Sequence, residues 1–406
     1  MPTRRLNTRD CDLCACRAGI HPPASISYLF LAYPLAILAT HVRGESWLHE
    51  HFVQLYHAPS RGLKVYTHPH CTSTQMAQVY DAGFPGIVQR LLDPRRLQGD
   101  PLRELRMQLS LGVYPQIDVD MGRLGLTGEQ RPFLHEILLC GCDPSRFEVL
   151  AFNTGGRLRR QWVEAARLAA ALDVDGGELL RAMQQQGEST PAWLRADWSV
   201  RPKWILHEPT PGAEDAADPD RVLQSLAHYM TSRPPVDLPE PQLPADQLPA
   251  NTRWGHAAQS GLVDVLRQRG AECPLICFRL WWEHKKLMAR RLKWLTIHLH
   301  RAPSFEAEQM EVLARRAGAL RMTALRLERR GRLAGVTGAE SSYSPIAGRE
   351  DSLESGSPRV SRRISDRLRK GINSEVVEDI ARQERQLLNT LLEQAQWVGP
   401  SEADTL

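Results

Sequence analysis

The stretch His135-Glu-Ile-Leu-Leu-Cys-Gly-Cys142, then Asp143-Pro-Ser-Arg146, then Phe147-Glu-Val-Leu-Ala-Phe-Asn153 decides the fold. Two apolar runs of strand length flank a break that Asp143 opens and Pro144 follows. An Asp side chain accepts from backbone amides just downstream, and Pro pre-sets the φ of the second turn position. The segment therefore predicts a β-hairpin. If Cys142 pairs with Phe147, the same register sets His135 opposite Thr154 and leaves Asn153 one place off. A single bulge brings Asn153 onto the face of His135. A thiol hydrolase or acyltransferase needs a nucleophile, a histidine to take its proton and a third polar group to hold the imidazole. His135 and Asn153 supply the last two. On spacing alone, a polar strand-end residue is the commoner reading of His135.

Outward from the hairpin, Gly112-Val-Tyr-Pro-Gln-Ile-Asp-Val-Asp120 alternates around Ile117 and Val119 as a strand does. Upstream, helices are predicted over Leu29–His41, Trp47–Tyr56 and Thr74–Leu92, with a strand at Leu63–Thr67. Downstream, Leu158–Met183 has helical spacing broken at Gly176-Gly177. Pro-rich acidic segments at 208–218 and 233–250 read as linkers. Beyond Trp254 helices are predicted at Gly261–Arg269, Leu275–Leu299, Phe305–Arg330 and Ser374–Gln396.

The resulting plan is α+β. A polar, Cys-containing leader (1–25) precedes an α/β domain with an antiparallel sheet (26–206). A Pro-rich linker (207–251), a helical region (252–334), a Gly/Ser-rich disordered linker (335–361) and a C-terminal helix (362–397) follow.

The strand Gly112–Asp120, the His135–Asp143 run and the strand Phe147–Phe152 with its following helix resemble a recurrent pattern. It is that of the bacteriocin-leader-peptidase-like and butirosin-acyltransferase-like branches of the papain-like superfamily, over about residues 110–185. In that pattern a strand ending in Val-Asp precedes His-x-hydrophobic-hydrophobic-hydrophobic-x-Gly-x-Asp, and the next strand carries Asp or Asn. The segment Trp281-Trp-Glu-His-Lys-Lys-Leu-Met288 also resembles parts of larger proteins of this kind in peptide natural-product gene clusters. The resemblance implies a papain-like fold and acyl transfer or hydrolysis on a peptide or carrier-protein-bound acyl substrate in bacterial natural-product biosynthesis. It implies His135 as general base and Asn153 as its orienter, with Asp118 or Asp120 as substitutes. It also implies a cysteine at the start of an N-terminal helix. The predicted helix Leu29–His41 has none; Cys16 precedes it and Cys71 follows it. Two readings follow: an enzyme that recruits Cys71 or Cys16, and an inactive scaffold that binds a peptide or protein partner.

Cys11, Cys14 and Cys16 with His68, His70 and Cys71 have zinc-like spacings, but two distant clusters would have to meet, so no metal or cofactor is assigned. Leu168–Leu180 fits a helix-turn-helix flanked by Arg157, Arg159 and Arg160, which gives a DNA-binding regulator as a third reading. Asp173, Asp175 and Glu178 place negative charge where DNA would approach, which argues against nucleic acid. The basic run His284–Lys293 is read as a solvated face over an apolar stripe, and the C-terminal helices as a surface for a protein partner.

The 406 residues suit two domains, and the net charge of +4 is too small to imply a polyanionic partner. The apolar run Ile26–Val42 starts late, contains Pro34 and is short for a bilayer, so neither a secretory signal nor a membrane span is read. The expected setting is a reducing cytoplasm, with the eight cysteines free.

Overall fold

The computed structural model describes residues 16–17, 20–21, 23, 29–39, 48–50, 54–58, 62–66, 86–92, 99–126, 134–153, 157–173, 204–209, 217–232, 251–269, 275–299, 305–333 and 374–395. In chain order the strands are β1 (Cys16–Arg17), β2 (Gln54–Ala58), β3 (Gly62–Tyr66), β4 (Ile87–Leu92), β5 (Tyr114–Asp120), β6 (Leu134–Cys142), β7 (Arg146–Phe152), β8 (Leu158–Glu164), β9 (Trp204–Pro209) and β10 (Arg253–Trp254). The helices are α1 (Leu29–Leu38), α2 (Pro101–Ser110), α3 (Met121–Leu124), α4 (Ala165–Leu172), α5 (Pro219–Thr231), α6 (Ala258–Arg269), α7 (Leu275–His298), α8 (Phe305–Leu333) and α9 (Ser374–Gln394). They divide into two units, 1–44 with 73–214 and 45–72 with 215–406.

The first unit is an α+β layer on a seven-stranded sheet of order β4-β9-β5-β6-β7-β8, with β1 added beside β6. Every pairing in it is antiparallel. Ile117, Val119, Ile137, Leu139, Phe147, Val149 and Ala151 alternate onto one face. There they meet Leu105 and Leu109 of α2 and Leu168 and Ala171 of α4. Leu138, Cys140 and Leu150 are buried on the opposite face, so the central strands read as continuous apolar runs rather than clean alternation.

The hairpin forms as its turn chemistry dictates. The Asp143 carboxylate accepts from the Ser145 amide at 2.9 Å and the Arg146 amide at 2.6 Å. The Asp143 amide donates back to the Arg146 carbonyl at 2.9 Å. The bulge is present as well. Cys142 faces Phe147 and Gly141 faces Glu148, but beyond Cys140 the register slips by one, so that Leu139 faces Val149 and Leu138 faces Leu150.

Several local expectations give way to tertiary pairing. Ile87–Leu92, read as the end of a helix, is the strand β4, zipped to β9 along its whole length. A polar clamp ties it down: Gln89 Nε2 donates to His207 Nδ1 at 3.0 Å, and His207 Nε2 donates to Gln116 Oε1 at 2.9 Å. Burial drives the His207 imidazole down to about 3, so the clamp is neutral. Leu158–Glu164, also read as helical, is β8; an edge strand has little apolar alternation to reveal it. Helix α5 lies inside the 207–251 stretch read as linker. Asp218 caps it by accepting from the Asp220 amide at 3.0 Å, and Pro219 opens its first turn.

The second unit is mainly helical, as its sequence predicts, but it also holds a small sheet of order β10-β2-β3. Trp254 pairs with Tyr56 and Arg253 with His57, so 45–72 folds with the helices and not within an unbroken 26–206 domain. Two glycines make this possible. A Cβ on Gly261 of α6 would lie 2.2 Å from the His57 ring, and one on Gly255, whose φ is +52°, would lie 2.2 Å from the Tyr229 carbonyl oxygen. No helix among the described residues is long and apolar enough to cross a membrane.

Candidate functional site

His135 lies near the start of β6, opposite Val119 of β5. Continuing the register past the bulge sets Asn153, just beyond β7, across from it. The imidazole is half-buried and meets the edge of the Phe152 ring with centroids 5.8 Å apart. Its Nδ1 stands 3.1 Å from the Glu136 carbonyl oxygen. A carbonyl only accepts, so Nδ1 carries the proton and Nε2 is the basic nitrogen. Burial lowers the imidazole's pKa, opposed by that hydrogen bond, and the ring is neutral near pH 7.

Asn153 closes the β7–β8 connection. Its Oδ1 accepts from the Arg157 amide at 3.1 Å, and its own amide donates to the Arg157 carbonyl at 3.0 Å. The substitute orienters are placed otherwise. Asp120 caps α3, accepting from the Gly122 amide at 2.9 Å, with Arg123 at 3.4 Å from its other oxygen. Asp118 pairs with Glu136, and alternation puts both on the sheet face opposite Val119 and His135.

That opposite face is the one α1 covers. Tyr33 of α1 donates to the Glu136 carbonyl at 2.8 Å. Burial, then the charges of Glu136, Cys140 and Asp118, hold the Tyr33 phenol well above its ordinary pKa. The face also carries an ion pair, Arg160 Nε donating to Glu148 Oε1 at 3.0 Å, with a second Arg160 nitrogen donating to the Ile20 carbonyl at 3.1 Å.

The thiols are not beside His135 where they are described. Cys140, the bulge residue, is fully buried, and burial pushes its thiol up to about 12. Cys142 is buried in the core between sheet and helices. Cys16 pairs through its backbone with Cys142, at the far end of β6 from His135. At the rise of an antiparallel strand that separation is roughly 23 Å. Cys71 lies outside the described residues, as do Cys11, Cys14, His68 and His70 of the zinc-like set. Arg157 and Arg159 are exposed beside β8 and on it, while Arg160 is engaged with Glu148. The helix-turn-helix segment is described only as far as Asp173.

Sequence reasoning missed a second cluster, wholly within the helical unit. Glu384 of α9 receives Lys285 Nζ at 2.7 and 2.6 Å, Gln259 Nε2 at 2.6 Å and the Tyr229 hydroxyl at 3.1 Å. Trp281 Nε1 donates to Gln259 Oε1 at 2.8 Å. All five side chains are sealed from solvent. Burial by itself raises the Glu384 carboxyl, but Lys285, helped by His284 and His256, brings it down to about 2. Lys285 and the equally buried Arg291 thus correct the reading of His284–Lys293 as a solvated basic face. Arg291 donates to the backbone carbonyls of Leu48 and His49, each at 2.7 Å, whereas Lys286, Arg290 and Lys293 do face solvent. The only sequence hint was position: Lys285 sits one helical turn from Trp281 and Met288, inside the apolar stripe. With its donors and acceptors matched and no route to solvent, this network fixes helix packing and offers nothing to a substrate.

No family model matches this chain, and no curated protein matches it significantly.

Proposed function

We propose that this chain is a papain-like scaffold that binds an extended peptide or a protein partner without thiol catalysis. The observation that carries the reading is the disposition of cysteines around His135. Cys140 and Cys142 are buried, one of them with its thiol pushed up to about 12, and β1 holds the Cys16 backbone at the other end of β6. A thiol acts as a nucleophile only as its thiolate, within hydrogen-bond reach of the base. The cover of α1 on the face away from His135 supports the same reading, since that helix is where the resembled family carries its cysteine.

A second reading is a working cysteine acyltransferase or peptidase on a peptide or carrier-bound substrate in bacterial natural-product biosynthesis. It is favoured by the bulge that brings Asn153 opposite His135. Labelling with a small thiol electrophile near neutral pH, read peptide by peptide in wild type and His135→Ala, separates the two. Slow labelling of accessible cysteines, unchanged by the substitution, is the expected result. One fast-reacting cysteine, Cys71 or Cys16, whose rate collapses in His135→Ala would overturn the binding reading.

A further inference from the structure

The sheet ends on β8, and the hydrogen bonds at the two ends of the β7–β8 pair show which way its backbone points. The Asn153 amide donates to the Arg157 carbonyl, and the Ala165 amide to the Ser145 carbonyl. In an antiparallel ladder such pairs alternate, so Arg157, Arg159, Gln161 and Val163 aim their backbone groups at β7. Leu158, Arg160, Trp162 and Glu164 aim theirs outward, and among the described residues no strand pairs with that edge.

The side chains along this edge sort by face. Arg157, Arg159 and Gln161 succeed one another at every second residue, about 7 Å apart on one face. Arg157 and Arg159 are exposed and, among the described residues, make no ion pair. Gln161 Nε2 is buried with no acceptor. The row therefore offers two positive charges and, beside them, an amide nitrogen without an acceptor. The other face presents Leu158 and Trp162 with Arg160, which Glu148 holds, between them and the exposed Glu164 at its end; the indole is 38% exposed, with the Arg146 guanidinium 5.0 Å over its ring.

We infer that the free edge of β8 takes up an extended acidic peptide of a partner protein as an added strand. The inference rests on the binding reading above and names its ligand. Carboxylates at alternate positions of the peptide meet Arg157 and Arg159, and the intervening apolar residues lie over Leu158 and Trp162. A peptide is favoured over a nucleic acid because the edge supplies amide and carbonyl groups at strand spacing, which only another polypeptide backbone matches.

The test uses the full chain and a fluorescently labelled peptide of alternating valine and glutamate, with the valine–lysine counterpart as control. Binding is followed by anisotropy at low ionic strength. The acidic peptide is expected to bind about ten-fold more tightly than the basic one, and Arg157→Glu with Arg159→Glu to remove that preference. Leu158→Pro, which deletes one outward amide and spares the ladder to β7, should weaken binding while both charges remain. The amides of Leu158, Arg160, Trp162 and Glu164 should gain hydrogen-exchange protection on binding. Unchanged affinity in both variants, with no protection at those amides, would place the peptide elsewhere and overturn this inference while leaving the binding reading intact. Absence of peptide binding overturns it too. Displacement by single-stranded RNA that is indifferent to Leu158→Pro overturns it in favour of a nucleic acid. A fast-reacting thiol dependent on His135 instead removes the reading on which it rests.

Discussion

His135 and Lys285 sit in the same chain under opposite rules. In the sheet unit the polar side chains Arg157 and Arg159 sit at the sheet edge in contact with solvent, and His135 at a strand end is half-buried. In the helical unit Lys285, Glu384, Tyr229, Gln259 and Trp281 close on one another in the interior. The sealed cluster joins polar groups from distant parts of the chain and the exposed row does not, so clustering alone does not mark a site of chemistry. Access does. A half-open row can receive a ligand, whereas a sealed network can only select one packing of its helices over others.

The sharpest way to break that contrast is to remove one partner of the sealed pair. Glu384→Leu alone strands a buried ammonium and should cost about 3–5 kcal/mol of stability. Combining it with Lys285→Met should recover about 2 kcal/mol of that loss, because no charge is then left uncompensated. Denaturant unfolding, with hydrogen exchange read in 374–394, measures both. With Lys285→Met measured alone as well, single losses that simply add in the double variant would mean that the pair is not coupled.

Acid probes the same network without mutation. The Glu384 carboxyl is held at about 2 in the folded chain, against 4.5 for an ordinary glutamate. Its folded pKa is depressed, so its contribution is present above pH 4.5 and is lost as pH falls toward 2. Exchange protection of α9 should fall across this window in wild type and stay flat in the double variant.

The smallest effect is expected at His135. His135→Phe removes the hydrogen bond to the Glu136 carbonyl from a half-buried position and should cost about 1 kcal/mol in thermal or denaturant unfolding. A cost like that of Glu384→Leu would erase the distinction drawn between the two units.

Three strands of the sheet, β5, β6 and β7, were legible in the sequence, whereas β9, buried between β4 and β5, was not. The hairpin announced itself through Asp143-Pro144 and two apolar runs, and the register argument isolated the one irregularity that brings Asn153 level with His135. The helices from α6 onward were legible from periodicity. The edges were not. β4 and β8 each pair on one side only, and half-exposed strands carry too few apolar residues to distinguish a period of two from one of 3.6. The placement of 45–72 was hidden because β2 finds its partner at Arg253–Trp254, a pairing no local pattern encodes.

By itself, then, the sequence determined the α+β class, the antiparallel hairpin with its turn and the helical character of the C-terminal half. These follow from interactions among residues close in the chain, where turn chemistry and periodicity operate. Tertiary structure alone decided which charges are sealed, which sheet edge has no partner among the described residues and how far Cys16 lies from His135. Those outcomes depend on contacts between segments far apart in the chain, 99 residues for Lys285 with Glu384, and a linear pattern shows a side chain's chemistry but not what will cover it.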